Sequence, residues 1–231
     1  MTALLYFPGK APMLRSGRSL AGEALALSAV LFLLFSGLAS SEEPVAGTVS
    51  GVRGTVMRKR LGGGQASPVR IHDAYRVGEV LETGRGSAAQ LALSDETFLN
   101  LADDSAVRIN QYSFDRSTMR RTARVRILKG LVRVVLFRPR SADSLFHLET
   151  EQASVLPEMI ADIAVEALQG ETRVAVLGGS AGVKNASAYV IGEMRVGMNQ
   201  AVTLRDKTPP ASPGTISPED RRRLLSRLRI P

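Results

Sequence analysis

The chain has 231 residues, with 30 Lys and Arg against 22 Asp and Glu, a formal net charge of +8, and neither cysteine nor tryptophan. That length accommodates one medium domain with appendages, whose core needs no metal or disulfide to hold it together. The missing cysteines exclude disulfides, thiolate zinc sites, redox motifs and the lipid-bearing cysteine of a bacterial lipoprotein.

At the N-terminus Lys10, Arg15 and Arg18 precede an apolar run over residues 24–39, interrupted by Ser28, Ser36 and Gly37. These 16 residues fall short of the roughly 20 that cross a hydrocarbon core, and the basic flank followed by an apolar run is a secretory signal pattern. Small side chains at Gly37 and Ala39 suit cleavage after Ala39, and those at Ala39 and Ser41 suit cleavage after Ser41. Translation from Met13 instead of Met1 gives the more usual short basic leader. Export to the periplasm or cell envelope is the expectation. An uncleaved inner-membrane anchor over residues 24–39 and a buried core helix are the alternatives.

A signal peptide at 1–39 is followed by a linker at 40–47 and then by residues rich in valine, glycine and period-two alternation, a strand pattern, as far as residue 204. The expected fold is all-β, antiparallel hairpins in a sandwich or roll over 48–204. Residues 157–168, with Met159, Ile160, Ile163, Val165 and Leu168, read equally as a helix or a short strand pair. A proline-rich linker at 205–217 ends the domain, because proline withholds a backbone donor and favours extended chain. Ser217 is then a natural N-cap and Pro218 suits the first helical position, so a short basic helix is predicted over 218–231.

The segment at 125–134 recurs at 174–183, an offset of 49 residues (174 minus 125). Reading Lys129-Gly130 and Gly178-Gly179 as two-residue hairpin loops pairs Val125 with Val134 and Ile127 with Val132. In the second copy it pairs Val174 with Val183 and Val176 with Ala181. A third unit spans residues 90–101. A three-residue loop at Asp95, Glu96 and Thr97 sets Leu91, Leu93, Leu99 and Leu101 on one face, whereas a two-residue loop splits them.

The order Gly78-Glu79, Thr83-Gly84, Leu91, Leu93, Asp95, Thr97, Leu99, Leu101, Ser105, Val107, Ile109, then Leu128-Lys129-Gly130 and the strands near 174–180 and 197–202, resembles the FecR domain family. The resemblance covers roughly residues 49–204. Two positions depart from the family pattern. Glu96 stands where a turn glycine is usual, and Val155-Leu156-Pro157-Glu158-Met159 replaces the family's Gly-Thr-x-Phe element. The resemblance implies a regulatory role, since the founding type spans the membrane, senses an outer-membrane receptor and controls a sigma factor. Only about 23 residues precede the apolar run here, fewer than the roughly 40 that fold unaided, so the resemblance implies the exported domain without a sigma-binding one.

No constellation argues for turnover, and no cofactor or metal is expected. Residues 178–182 match the G-x-S-x-G nucleophile elbow around Ser180. The elbow needs a following helix and a later histidine, however, and His72 and His147 both lie upstream. Neither histidine belongs to a metal-ligand pattern. Asp95, Glu96, Asp103 and Asp104 read as turn acids without calcium-loop spacing, and Gly62-Gly63-Gly64 lacks the lysine of a phosphate loop.

Charge carries more information. Residues 106–140 hold ten Lys or Arg against the single acid Asp115, while residues 141–171 hold seven acids and no Lys or Arg. The hairpin register sets Arg126 opposite Arg133, an arrangement that calls for a neutralising anion. The acidic block packed alongside is one source of it, and an external anionic polymer is the other. The candidate binding face is Arg120, Arg121, Arg124, Arg126, Arg133 and Arg138. The expected function is a non-catalytic FecR-like sensing or interaction module that binds a protein partner in the envelope. The alternative is a module that binds a polyanion or cell-wall glycopolymer through residues 120–140. Nucleic acid is not an expected partner, because no aromatic for base stacking is interleaved with the basic residues from Arg120 to Arg133. The amphipathic C-terminal helix either rests weakly on a membrane or docks on the β-domain.

Overall fold

The computed structural model describes residues 43–60, 64–137, 141 and 143–229; the expected signal peptide at 1–39, its alternative as an anchor at 24–39, and Arg138 lie outside the described residues. The described strands form a mixed sheet rolled into two layers. In the first layer β4 (Ala74–Arg76), β1 (Val45–Arg53), β6 (Ala88–Leu93) and β7 (Phe98–Leu101) lead to the second half of β9 (Arg120–Leu136). The layer continues through the second half of β11 (Ala153–Leu168) and the first half of β12 (Glu171–Asn185) to β14 (Gln200–Arg205) and β15 (Gly214–Thr215).

In the second layer β3 (Ser67–Pro68), β2 (Val56–Lys59), β5 (Val80–Thr83) and β8 (Ala106–Asp115) lead to the first half of β9. Beyond it lie β10 (Leu145–Glu149), the first half of β11, the second half of β12 and β13 (Met194–Gly197). The pairs are antiparallel except β9 with β10, which run parallel. Three long strands therefore belong to both layers. Leu91, Leu99, Val134, Ile163 and Val174 from the first layer share one core with Ile109, Val125, Leu148, Val155 and Val183 from the second.

A strand can serve two layers only if it bends and its inward side chains stay inward. On β9 the inward set is Ala123, Val125 and Ile127 before Gly130 and Val132, Val134 and Leu136 after it, so the alternation slips by one residue. Gly130 absorbs the slip with a φ of 78°, and Gly179 does the same on β12 with a φ of 76°. Both sites are also crowded. A Cβ on Gly130 would sit 2.3 Å from Ser105 Oγ and 2.6 Å from Ser105 Cα, and one on Gly179 would sit 2.3 Å from the Ile160 carbonyl oxygen. The crowding at Gly130 serves a purpose. Ser105 Oγ accepts from Leu131 N at 2.9 Å just past the bend, and Thr83 Oγ1 accepts from Ser105 N at 3.0 Å and donates to Ala102 O at 2.6 Å.

These bends correct the two-residue hairpins expected from the repeat. Val125 pairs with Ile109 and Leu148, Val134 with Leu99 and Ile163, Val174 with Val165 and Val202, and Val183 with Val155 and Met194. A glycine at positive φ suits a tight loop and a bulge alike, and here each half of the strand finds a separate apolar neighbour. The repeat itself corresponds to two like bends, since Gly130 and Gly179 stand 49 residues apart (179 minus 130). Residues 157–168 continue β11 as strand, with a bend where Met159 takes a φ of 49°.

The leucine unit keeps its shared face, with Leu91, Leu93, Leu99 and Leu101 all buried, but its three-residue loop is Ser94-Asp95-Glu96 and Leu91 pairs with Leu99. Glu96, in the place of the family's glycine, takes a φ of 65°. Beside it lies a buried polar staple between the layers. Arg121, 3% exposed, donates from Nη1 to Asp95 Oδ2 at 2.8 Å, and Asp95 also accepts from Thr97 Oγ1 at 2.8 Å and from the Tyr112 hydroxyl at 3.1 Å.

Helix α1 (Pro218–Arg227) starts as predicted, with Ser217 Oγ accepting from Asp220 N at 3.0 Å. It docks on the outer side of the first layer, where Leu224, Leu225 and Leu228 meet Leu131, Ala164, Ala175 and Leu177. Arg221 Nη1 donates to the Leu177 carbonyl at 3.0 Å, and Arg227 pairs with Glu166 at 2.6 Å. No helix of the described residues is long and apolar enough to cross a membrane.

Two stability predictions follow from the bends and the staple. Gly130→Ala and Gly179→Ala should each cost about 3 kcal/mol or more, since steric overlap adds to backbone strain, whereas Gly170→Ala should cost about 1 kcal/mol. Gly170 shares the positive φ but has open space at its Cβ, so urea melts of the three variants separate the two contributions. Arg121→Met should destabilise by about 3–5 kcal/mol because it strands a buried Asp95 carboxylate, and Arg121→Met combined with Asp95→Asn should recover part of that loss.

Candidate functional site

The outer side of the first layer is assembled from side chains that alternate with the core residues. Across it runs a polar ladder. Ser50 Oγ donates to Gln90 Oε1 at 2.9 Å, Gln90 Nε2 donates to Asn100 Oδ1 at 2.7 Å, and Asn100 is the register partner of Arg133. Arg133 closes the ladder on Asp162 with two parallel bonds of 2.7 Å, from Nε to Oδ1 and from Nη2 to Oδ2. This bidentate contact is the strongest geometry available to a guanidinium and a carboxylate. It holds the Arg133 guanidinium more firmly protonated than usual, with burial working against it.

On one side of Arg133 and Asp162 the face is covered by α1. On the other it opens into a groove of about 670 Å³ lined by Phe98, Val135, Phe137, Ile160, Gly178 and Gly179 together with the ladder. Phe98 and Phe137 meet edge to face with centroids 5.8 Å apart. Phe137 is 56% exposed and Ile160 54%, which gathers large apolar side chains in water at one place. The bends create this groove: the turn of β11 at Met159 throws Ile160 outward, and the small Gly178 and Gly179 leave its floor open. A contiguous apolar surface crossed by a few fixed polar groups has the character of a surface that seats and orients a partner.

The basic residues singled out in the sequence do not form one face. Arg121 is in the core on Asp95, with its guanidinium 5.9 Å from the centre of the Phe146 ring. Arg133 belongs to the first layer's outer face. Arg124 lies on the second layer's outer face, where it pairs with Glu149 at 3.1 Å, and Arg126 lies there too. Arg120 is exposed at the start of β9. Arg126 does not face Arg133; the bend at Gly130 sends the two to different layers, and Arg126 lies opposite Arg108 of β8. The acidic block at 141–171 packs alongside. Besides Glu149 and Asp162, its Glu158 pairs with Arg195 at 2.7 Å and its Glu171 with Arg173 at 2.9 Å and Arg205 at 3.0 Å.

Ser180 lies within β12, where its hydroxyl donates to Glu158 Oε2 at 2.8 Å, and no helix follows as an elbow requires. His147 contacts Ser154 Oγ through Nε2 at 2.6 Å and Glu149 through Nδ1 at 3.1 Å. Burial pushes its pKa down, with Glu149 opposing and Arg124 and Lys184 assisting. Among the described residues no group of three or more His, Cys, Asp or Glu side chains is placed to hold a metal ion.

The sequence does not mark Phe98, Phe137, Ile160, Gln90 or Asn100 as candidate site residues. Gln90 and Asn100 did carry a signal, being polar residues interleaved with buried leucines and so outward-facing. Nothing local marks Phe137 or Ile160 as exposed.

The family model described as FecR protein matches residues 79–182. No curated protein matches the chain. Two crystal structures of a protein from Parabacteroides distasonis, described provisionally as an anti-sigma factor, share the fold at a TM-score of 0.51. One is 18% identical and overlaps 63% of each chain; the other is 19% identical and overlaps 63% of this chain and 64% of that one. The chain thus spans less than two thirds of that protein's length, and the likeness is one of fold. Beginning at the buried Glu79 and ending just past the bend of β12, this chain carries a FecR domain.

Proposed function

We propose that this chain is a non-catalytic sensing module of the bacterial cell envelope, exported by its N-terminal signal, that binds a protein partner in the groove beside α1. The FecR domain and the anti-sigma-like fold support a regulatory or sensing role. The observation that carries the reading is the exposed pair of Phe137 and Ile160 next to the Arg133–Asp162 pair. The fold offers a template for the occupant. On the same outer face, Leu131, Ala164, Ala175 and Leu177 receive the leucines of α1, with Arg221 and Arg227 fixing its position. The groove is the uncovered continuation of that surface, so an amphipathic helix from the partner, apolar toward Phe98, Val135, Phe137 and Ile160, matches it in shape and polarity.

Binding of an anionic polymer through residues 120–140 is the weaker reading. Arg121, Arg124 and Arg133 are engaged by Asp95, Glu149 and Asp162, which leaves Arg120 and Arg126 without an ion pair among the described residues.

A photoreactive amino acid placed at Phe137 in cells should give one discrete protein adduct in the envelope fraction, and Ile160→Glu in the same chain should remove it. An adduct that survives Ile160→Glu, or a chain recovered untrimmed from the cytosol, would count against the proposal.

A further inference from the structure

The outer face of the second layer is the opposite of the groove in character, being cationic and under-neutralised. Arg108 on β8 and Arg126 on β9 are direct cross-strand partners, and like charges in that position repel. Neither has a carboxylate partner among the described residues; Arg108 Nε donates to the neutral Asn110 Oδ1 at 2.6 Å. Glu149 lies directly opposite Arg126 in register, but its Oε1 turns to Arg124 and His147, at 3.1 Å each, and makes no ion pair with Arg126. Lys184, exposed on β12, joins Arg126, His147 and Ser154 around a shallow open depression of about 430 Å³, which Glu149 and Glu151 also line. Burial pushes the pKa of His147 down, and the cations of Arg124 and Lys184 push the same way against Glu149.

An independent feature adjoins this face. Between Asn185 and Met194 the chain forms a loop whose Tyr189 is 86% exposed and Ile191 97% exposed. The loop returns over the second layer, since the Glu193 carboxylate occupies the space where Gly182 would carry a Cβ, and Ala186 lines the depression with Lys184. An aromatic and an aliphatic side chain held in water at the rim of a broad cationic sheet match the two zones of a lipid surface. The cations suit the phosphate headgroups, and the tyrosine and isoleucine suit the boundary between headgroups and acyl chains.

We infer that the outer face of the second layer rests on an anionic membrane surface, with Arg108, Arg126 and Lys184 on lipid phosphates and Tyr189 and Ile191 dipping into the interface. The groove of the first layer, on the other side of the core, then faces away from the lipid. The inference stands on this face alone and does not depend on the groove having a partner.

The test uses the full chain and reads the gain in vesicle co-sedimentation on passing from phosphatidylcholine to mixed phosphatidylglycerol–phosphatidylcholine vesicles. The apolar N-terminal segment and its basic flank of Lys10, Arg15 and Arg18 are common to every variant, so the change in gain between variants isolates the contact of this face. Arg108→Gln with Arg126→Gln should lower the affinity for the mixed vesicles by about tenfold or more, and salt of about 0.5 M should abolish the gain. Tyr189→Ser with Ile191→Ser should weaken binding to the mixed vesicles without changing its salt sensitivity. Arg173→Gln with Arg205→Gln removes the same charge from the other layer and should leave the gain unchanged. The inference is overturned if the wild-type chain shows no gain, if the two arginine pairs lower it equally, or if soluble polyphosphate is bound while the vesicles are not.

Discussion

The architecture depends on three long strands passing from one layer to the other, β9 at Gly130, β12 at Gly179 and β11 at Met159. A strand that bends around a core without slipping its alternation would turn one half of its valines into water. Each glycine accepts the left-handed backbone that makes the slip, and its missing side chain admits the neighbouring strand. Ser105 and Thr83 then satisfy the backbone groups that the bend of β9 takes out of register. Several residues of the family pattern therefore have a mechanical meaning. Thr83, Ser105 and Gly130 meet at one corner, while Asp95 and Thr97 meet Tyr112 and Arg121 in the buried staple.

Function follows from the two outer faces that this arrangement leaves. Because β9 changes layers, its run of arginines is divided, and the acidic strand β11, which also changes layers, travels with it. Asp162 reaches Arg133 on one face, while Glu149 from β10 reaches Arg124 on the other. The first face is closely neutralised and apolar at its open end, which suits a folded protein partner. The second keeps Arg108, Arg126 and Lys184 without carboxylate partners, which suits an anionic surface. One basic segment of sequence thus supplies two faces of different chemistry.

Alternation of apolar and polar residues was enough to read the all-β class and the shared face of the four leucines, and the Ser217-Pro218 pair was enough for the N-cap of α1, because each depends on neighbours a few positions apart. The 49-residue repeat was legible as a recurrence and misread as a hairpin. A glycine beside one other residue between two apolar stretches describes a tight loop and a bulge equally well, and the choice lies with partners such as Leu99, Ile109 and Leu148, far away in the chain. The same error set Arg126 against Arg133 instead of Arg108. Residues 157–168 were ambiguous for a related reason, since a bend at Met159 with two changes of register disturbs the period that would have marked a strand.

By itself the sequence determined what is local: period-two burial, the placing of charge into a basic block and an acidic block, the apolar leader-like run, and the capped basic helix. The tertiary structure alone decided which arginines are buried, paired or free, and that Phe98, Phe137 and Ile160 meet at one groove. Exposure and ion pairing depend on which distant strands lie alongside, and in a rolled sheet one bulged residue exchanges every neighbour that follows it.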